Sequence, residues 1–168
     1  MEIRVALALF VVLCGALGDR ALSDGAKRRA EALRYLTEAT RRLRVHMTSM
    51  FEPVPVALEH AGCELFSTVA QAMEGGVSAE AAWERVRDRA TKRGGILDSL
   101  TDADREALDR MFAGLGQTGR EEQDLLLSSV AEALEIQHRL AREKLKESDK
   151  LYGTLGLLIG LMLALIVI

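Results

Sequence analysis

Two uncharged, apolar runs, one near each end of the chain, constrain the fold more than any other feature of the sequence. Val5 to Gly18 is a run of 14 residues without a charge, and Leu151 to Ile168 is another of 18. Such runs avoid water, whereas the segment between them carries 45 of the 47 formal charges and needs a solvated surface. The sequence therefore predicts three parts, which are a hydrophobic helix at 1–18, a helical bundle at 19–150 and a hydrophobic helix at 151–168.

The C-terminal run has the length and composition of a transmembrane helix. Its 18 residues contain no charged side chain, and as a helix they would extend about 27 Å, close to the thickness of the bilayer hydrocarbon. Gly156 and Gly160 form a G-x-x-x-G pair within it. The pair allows close packing against another membrane helix, and two lipid-facing glycines are an equally good interpretation.

The N-terminal run allows two interpretations. Its 14 residues are short for a membrane span and match the core of a secretory signal, for which Ala16-Leu17-Gly18 would serve as a cleavage site. A retained helix would instead use Ile3 and a snorkelling Arg4 to reach across the bilayer. A cleaved signal would leave a tail-anchored helical regulator whose bundle lies outside the cytoplasm.

The distribution of basic residues favours the retained helix. Between Arg20 and Arg44 there are eight Lys or Arg residues and three acidic ones, while Arg4 is the only basic residue before the first apolar run. Basic residues next to membrane helices tend to stay in the cytoplasm. We therefore expect a membrane protein with two spans, both termini outside and the bundle inside. A net charge of −3 gives no overall basic surface for nucleic acid.

The central segment is predicted to be all-α. Pro53 and Pro55 are the only prolines, and no window shows the alternation typical of a strand. From Ala26 to Met50 a three-four spacing predicts a seam that packs lengthwise against another helix. The seam consists of Leu33, Leu36, Thr40, Leu43, Met47 and Met50.

Four further helices are expected after the proline pair. One spans Val56 to Glu74, one begins at the N-cap Ser78 and ends near Arg93, and one begins at Thr101. A capping box of Thr118 and Glu121 predicts the start of the last helix, which should continue from Arg120 into the final span. Its seam consists of Leu127, Ala131, Leu134, His138, Ala141 and Leu145.

No arrangement of residues indicates catalysis, a cofactor or a metal. His46, His60 and His138 lie on different predicted helices, and a site made of His60, Cys63 and Glu64 ranks far below a packing role. Gly114 to Gly119 matches G-x-G-x-x-G but follows a helix, so a turn between helices is the better interpretation. Cys14 and Cys63 support no disulfide framework. We expect a protein that is not an enzyme.

Two charged surfaces are candidate docking sites. The first is the basic face of the first helix, with Arg28, Arg41 and Arg42, and the second is the acidic stretch that includes Asp102 and Asp109. Trp83, the single tryptophan, is predicted to anchor the core or an interface.

The order of these features resembles the stage III sporulation protein AB family over the whole chain. The matching positions are Phe51 and Pro55, Ala82-Trp83, Leu115-Gly116, Arg120, Gln123, Thr154-Leu155-Gly156 and Gly160. Two positions depart from the family pattern: Met111-Phe112 stands where Phe-Gly is usual, and Gly119 stands where Asp is common.

The resemblance implies a subunit of the secretion-like channel complex between mother cell and forespore, seated in the mother-cell membrane with its bundle in the cytoplasm. The family is similar to the inner-membrane platform protein of type II secretion and type IV pilus machines. The implied partners are a secretion-type ATPase, stage III sporulation protein AA, and other channel subunits, with a homo-oligomer as a further possibility.

Overall fold

The computed structural model describes the backbone of residues 2–92 and 94–167, and the side chains of residues 24–92 and 94–147. Within this part of the chain all regular structure is helical, which confirms the prediction of an all-α fold. The six helices are Glu2–Thr48 (α1), Val54–His60 (α2), Glu64–Ala72 (α3), Ala79–Ala90 (α4), Asp102–Gly114 (α5) and Arg120–Val167 (α6).

The two long helices, α1 and α6, pack along each other and form the spine of the bundle. The α1 seam is confirmed through Met47, because Leu33, Leu36, Thr40 and Leu43 are fully buried. On α6, Leu127 and Leu134 are fully buried and Ala131 and Ala141 nearly so. The prediction for Met50 is wrong: its side chain is 57% exposed because α1 ends at Thr48.

A sharp corner follows α1. Phe51 has φ +59°, a left-handed conformation that turns the chain out of the helix. Pro53 is the N-cap residue of α2, and Pro55 lies in the first turn of that helix, where a proline sacrifices no helical hydrogen bond. The corner folds α2 back onto the end of α1.

The predicted single helix from Val56 to Glu74 is wrong, because the chain forms α2 and α3 with a break at Ala61–Cys63. Gly62 has φ +66°, and a Cβ there would approach Nη1 of Arg42 to 2.7 Å. The hydroxyl of Tyr35 donates to the Gly62 carbonyl at 3.1 Å. Glycine permits a local bend that hydrophobic periodicity alone did not indicate.

The predicted caps of α4 and α5 are confirmed. The Ser78 side chain accepts a hydrogen bond from the Ala81 N–H at 3.3 Å, and Thr101 forms a capping box with Asp104. Between these helices, Trp83 is 2% exposed and stacks on Phe112 at a centroid distance of 4.5 Å. Trp83 is therefore a core anchor.

The last helix begins at Arg120, as predicted, but a different side chain closes the turn before it. Helix α6 starts at Arg120, and its first backbone bond runs from the Gln123 N–H to the Gly119 carbonyl. Thr118 instead accepts a bond from the buried Gln123 side chain at 2.8 Å. The side-chain amide of Gln123 thus closes the turn that the capping box was expected to close. Continuation of this helix as far as Val167 was predicted correctly.

The predicted membrane segments fall largely outside the described side chains. Among the residues that the structure describes, no helix combines the length and apolar character needed for a transmembrane span. The spans at 1–18 and 151–168, the packing pair Gly156 and Gly160, and the three-part division of the chain stay predictions.

Candidate docking surface

An open groove runs along the surface between α1 and α6. Short side chains of α6, including Ser128 and Ala131, are among the residues that line it. The lining residues are Arg41, Arg44, Val45, Thr48, Ser49, Asp124, Ser128, Ala131, Glu132, Glu135, Ile136 and Arg139.

Apolar side chains on both walls face solvent in this groove. Val45 is 46% exposed and Ile136 is 40% exposed, and charged side chains surround both of them. An apolar centre with a polar rim is the arrangement that receives an amphipathic helix or another protein surface. The groove therefore has the character of an interaction surface.

Two ion pairs, Arg44–Asp124 and Arg41–Glu135, connect α1 to α6 across the groove. Arg44 donates to both carboxylate oxygens of Asp124, at 2.7 and 2.8 Å, and this hydrogen bonding lowers the pKa of Asp124. Arg41 instead lies 3.3 Å from Glu135 and 3.4 Å from Glu38, with all three side chains about half exposed. A single contact between side chains this exposed adds little stability, so Arg41 and Glu135 can exchange partners at small cost.

The three arginines predicted to form one basic face lie on different surfaces. Arg41 lines the groove. Arg42, about 100° further around the helix, donates to the Ala61 carbonyl at the α2–α3 break. Arg28 lies beside Gly94, Gly95 and Ile96. Within the described side chains, only Arg41 of this set belongs to the groove.

The acidic residues of α5 do come together. Asp102 and Asp109 line one shallow pocket, where Arg105 contacts Asp102 at 3.0 Å. Asp109 accepts hydrogen bonds from the Trp83 indole at 2.6 Å and from Arg87 at 3.1 Å. Neighbouring arginines thus balance the charge of both acids. Asp109 also satisfies the indole N–H of the buried Trp83.

A cluster of His46, Glu52 and His60 was not anticipated from the sequence. Nδ1 of His46 lies 3.0 Å from Oε2 of Glu52, and Nδ1 of His60 lies 2.9 Å from the same oxygen. The hydrogen bond from His60 is the main cause of the lowered pKa of Glu52. The sequence does contain a signal for this cluster. The two histidines lie on either side of the prolines at the corner, where α2 folds back onto α1.

Two other sequence motifs have structural roles. Gly114 to Gly119 forms the turn between α5 and α6, as predicted, and Gly116 there has φ +78°. Cys63 is 1% exposed at the start of α3, whereas the His60 side chain is 53% exposed. Burial raises the pKa of the Cys63 thiol, which disfavours the thiolate needed for nucleophilic chemistry.

Comparisons with known proteins agree with the fold and define the class. The chain matches the family profile described as stage III sporulation protein AB over residues 4–168, which places it among sporulation proteins. The chain belongs to the stage III sporulation protein AB family.

A solved structure of a stage III sporulation protein AB (SpoIIIAB) resembles the fold. It superposes with a TM-score of 0.60 at 21% identity, over 71% of this chain and 97% of that chain. A search of curated protein sequences found no match. At this identity, the likeness supports the helical architecture.

Proposed function

We propose that this protein is a non-enzymatic membrane platform subunit of the sporulation channel complex, and that its bundle docks a cytoplasmic secretion-type ATPase. The single observation that carries the docking proposal is the amphipathic α1–α6 groove, with Val45 and Ile136 exposed inside a charged rim. Membership of a sporulation family supplies the biological setting.

The position of the groove suits a platform. Its walls belong to the two longest helices, each of which would extend about 70 Å. In the proposed topology, the apolar ends of the same two helices lie in the mother-cell membrane. A partner held in the groove would therefore be attached to the membrane helices without an intervening flexible linker.

The partner and the topology can be tested together by capture from sporulating cells. An affinity tag fits at Gly75–Gly76, because both glycines are exposed and have open space around them. We expect mass spectrometry of the captured material to identify the secretion-type ATPase. Recovery of extracytoplasmic proteins without the ATPase would contradict the proposal and favour the cleaved-signal alternative.

A matched pair of variants tests the groove itself. Val45→Asp places a charge in the apolar centre of the groove and should abolish ATPase capture. Val56→Asp makes the same change at a valine of similar exposure, 38% against 46%, outside the groove. The control variant should retain capture. Equal capture by both variants, with unchanged melting temperatures, would exclude the groove as the docking site.

A further inference from the structure

We propose that His46, Glu52 and His60 form a binding site for a divalent transition-metal ion of the Zn²⁺ type at the corner between α1 and α2. One ligand atom from each residue lies within 4.8 Å of the other two. Two imidazoles and one carboxylate are a common protein ligand set for Zn²⁺, which leaves a fourth position for water.

The geometry needs only a small adjustment to accept the ion. In a tetrahedral site with bonds of about 2.1 Å, neighbouring ligand atoms are roughly 3.4 Å apart. The two histidine nitrogens now lie 3.0 and 2.9 Å from the Glu52 oxygen. The three ligand atoms already lie within 4.8 Å of one another. If each histidine nitrogen moved a few tenths of an ångström away from the Glu52 oxygen, an ion could replace the shared hydrogen bonds.

The electrostatic arrangement also favours a cation. Both ring nitrogens converge on a single carboxylate oxygen, and the ring centroids of His46 and His60 are 5.3 Å apart. Among the described side chains, no Lys or Arg forms an ion pair with Glu52. A metal ion would place positive charge beside the Glu52 carboxylate and would join the two imidazoles through their ring nitrogens.

The backbone holds the three ligands in place. His46 lies in the last turn of α1, and its carbonyl accepts the Glu52 N–H at 3.1 Å. His60 is the last residue of α2. The rim remains open, since the His60 side chain is 53% exposed, so an ion can enter from solvent.

The corner is also tied to α6. The Arg120 guanidinium lies 3.9 Å from the centroid of the Phe51 ring and donates to the Thr48 carbonyl. A bound ion would therefore fix α2 to a part of α1 that already contacts the start of α6.

The test is a titration of the purified full-length protein with Zn²⁺ in competition with a chromophoric chelator. We expect one Zn²⁺ per chain. Removal of a residue that binds the ion directly, in His60→Ala or Glu52→Ala, should weaken binding by more than about tenfold. A tenfold loss is the smaller effect typical of removing a residue that only supports a metal ligand. Zn²⁺ should raise the melting temperature of the wild-type protein and leave that of His60→Ala unchanged.

His138→Ala is the matched control, because it removes the remaining histidine, which lies on α6 beside Glu135. This variant should bind Zn²⁺ as the wild type does. The His60 side chain is half exposed, so its loss opens no cavity, and circular dichroism will confirm that His60→Ala is folded.

Three outcomes would overturn the proposal. The first is the absence of Zn²⁺ binding by the wild-type protein, and the second is equal loss of affinity in His138→Ala and His60→Ala. The third is a thiolate charge-transfer band on substitution with Co²⁺, which would place the ion on a cysteine.

Discussion

Asp104 is the only charged side chain that is fully buried among the described residues. Arg29 donates to its two carboxylate oxygens at 2.8 and 3.0 Å, and the same guanidinium donates to Gln137 at 3.0 Å. One arginine thereby joins α1, α5 and α6. In the sequence Arg29 is indistinguishable from its basic neighbours, because its role depends on partners 75 and 108 residues away.

Removal of this arginine should destabilise the bundle. We expect Arg29→Ala to lower the free energy of unfolding by about 3 kcal/mol, since it leaves the Asp104 carboxylate buried without its counter-ion. Arg28→Ala, at an exposed neighbour, should change it by less than about 0.5 kcal/mol. Urea denaturation followed by circular dichroism measures both. Similar losses in the two variants would contradict the assigned role of Arg29.

The same ion pair predicts how stability depends on pH. Burial raises the pKa of Asp104, but hydrogen bonds from Arg29 and Thr101 outweigh this effect, so the net shift is downward. A carboxyl group whose pKa is lower in the folded state stabilises the fold fully at pH values well above its unfolded pKa of about 3.9. The stabilisation disappears as the pH falls through the folded pKa.

Denaturation midpoints between pH 7 and pH 3 test this dependence. The wild-type protein should lose stability more steeply below about pH 5 than a variant with Arg29→Met and Asp104→Leu, in which an apolar pair replaces the ion pair. Parallel curves for the two proteins would show that other carboxylates cause the acid sensitivity.

Among the elements, the helices with strong periodicity were predictable and the short ones were not. The seams of α1 and α6 follow from spacing alone, because burial of one helix face imposes that spacing. The division between α2 and α3 depends on Gly62 at φ +66° and on Arg42 and Tyr35 nearby. A lone glycine in an apolar stretch is compatible with an unbroken helix. The break between α2 and α3 therefore depends on tertiary contacts, which the sequence does not show.

Two glycine-to-alanine substitutions should therefore have opposite effects. Gly62→Ala forces a left-handed backbone on a residue with a Cβ and should reduce stability by about 1 to 2 kcal/mol. Gly25→Ala lies within α1 with no neighbouring atom within 4 Å and should increase stability by up to about 1 kcal/mol. Thermal denaturation of the two variants checks the signs, and stabilisation by Gly62→Ala would exclude the proposed strain.

At the scale of the whole molecule, the bundle depends on the contact between α1 and α6. Leu134 is fully buried in that interface, whereas Leu140 on the same helix is 44% exposed. Leu134→Ala should cost about 3 kcal/mol, and Leu140→Ala less than about 1 kcal/mol. Chemical denaturation of both variants provides the comparison. Equal costs would mean that the α6 seam carries little of the stability.

The candidate sites were harder to predict than the architecture. Arg41 was selected for its charge, yet the groove is defined equally by Val45 and Ile136, which are exposed side chains on two helices far apart in sequence. His46, Glu52 and His60 also come together only through the corner. Composition and spacing indicate which helix faces are buried. They do not indicate which helices pack together, and a site built from two helices depends on that packing.

The packing of α1 against α6 also sets the order of folding steps during protein synthesis. Arg29 of α1 bonds to Gln137 of α6, 108 residues later. At a translation rate of about 5 to 20 residues per second, the α1 seam waits roughly 5 to 20 s for its partner. During that interval the nascent chain exposes a leucine-rich stripe, because the residues of α6 that cover it have not yet been synthesised.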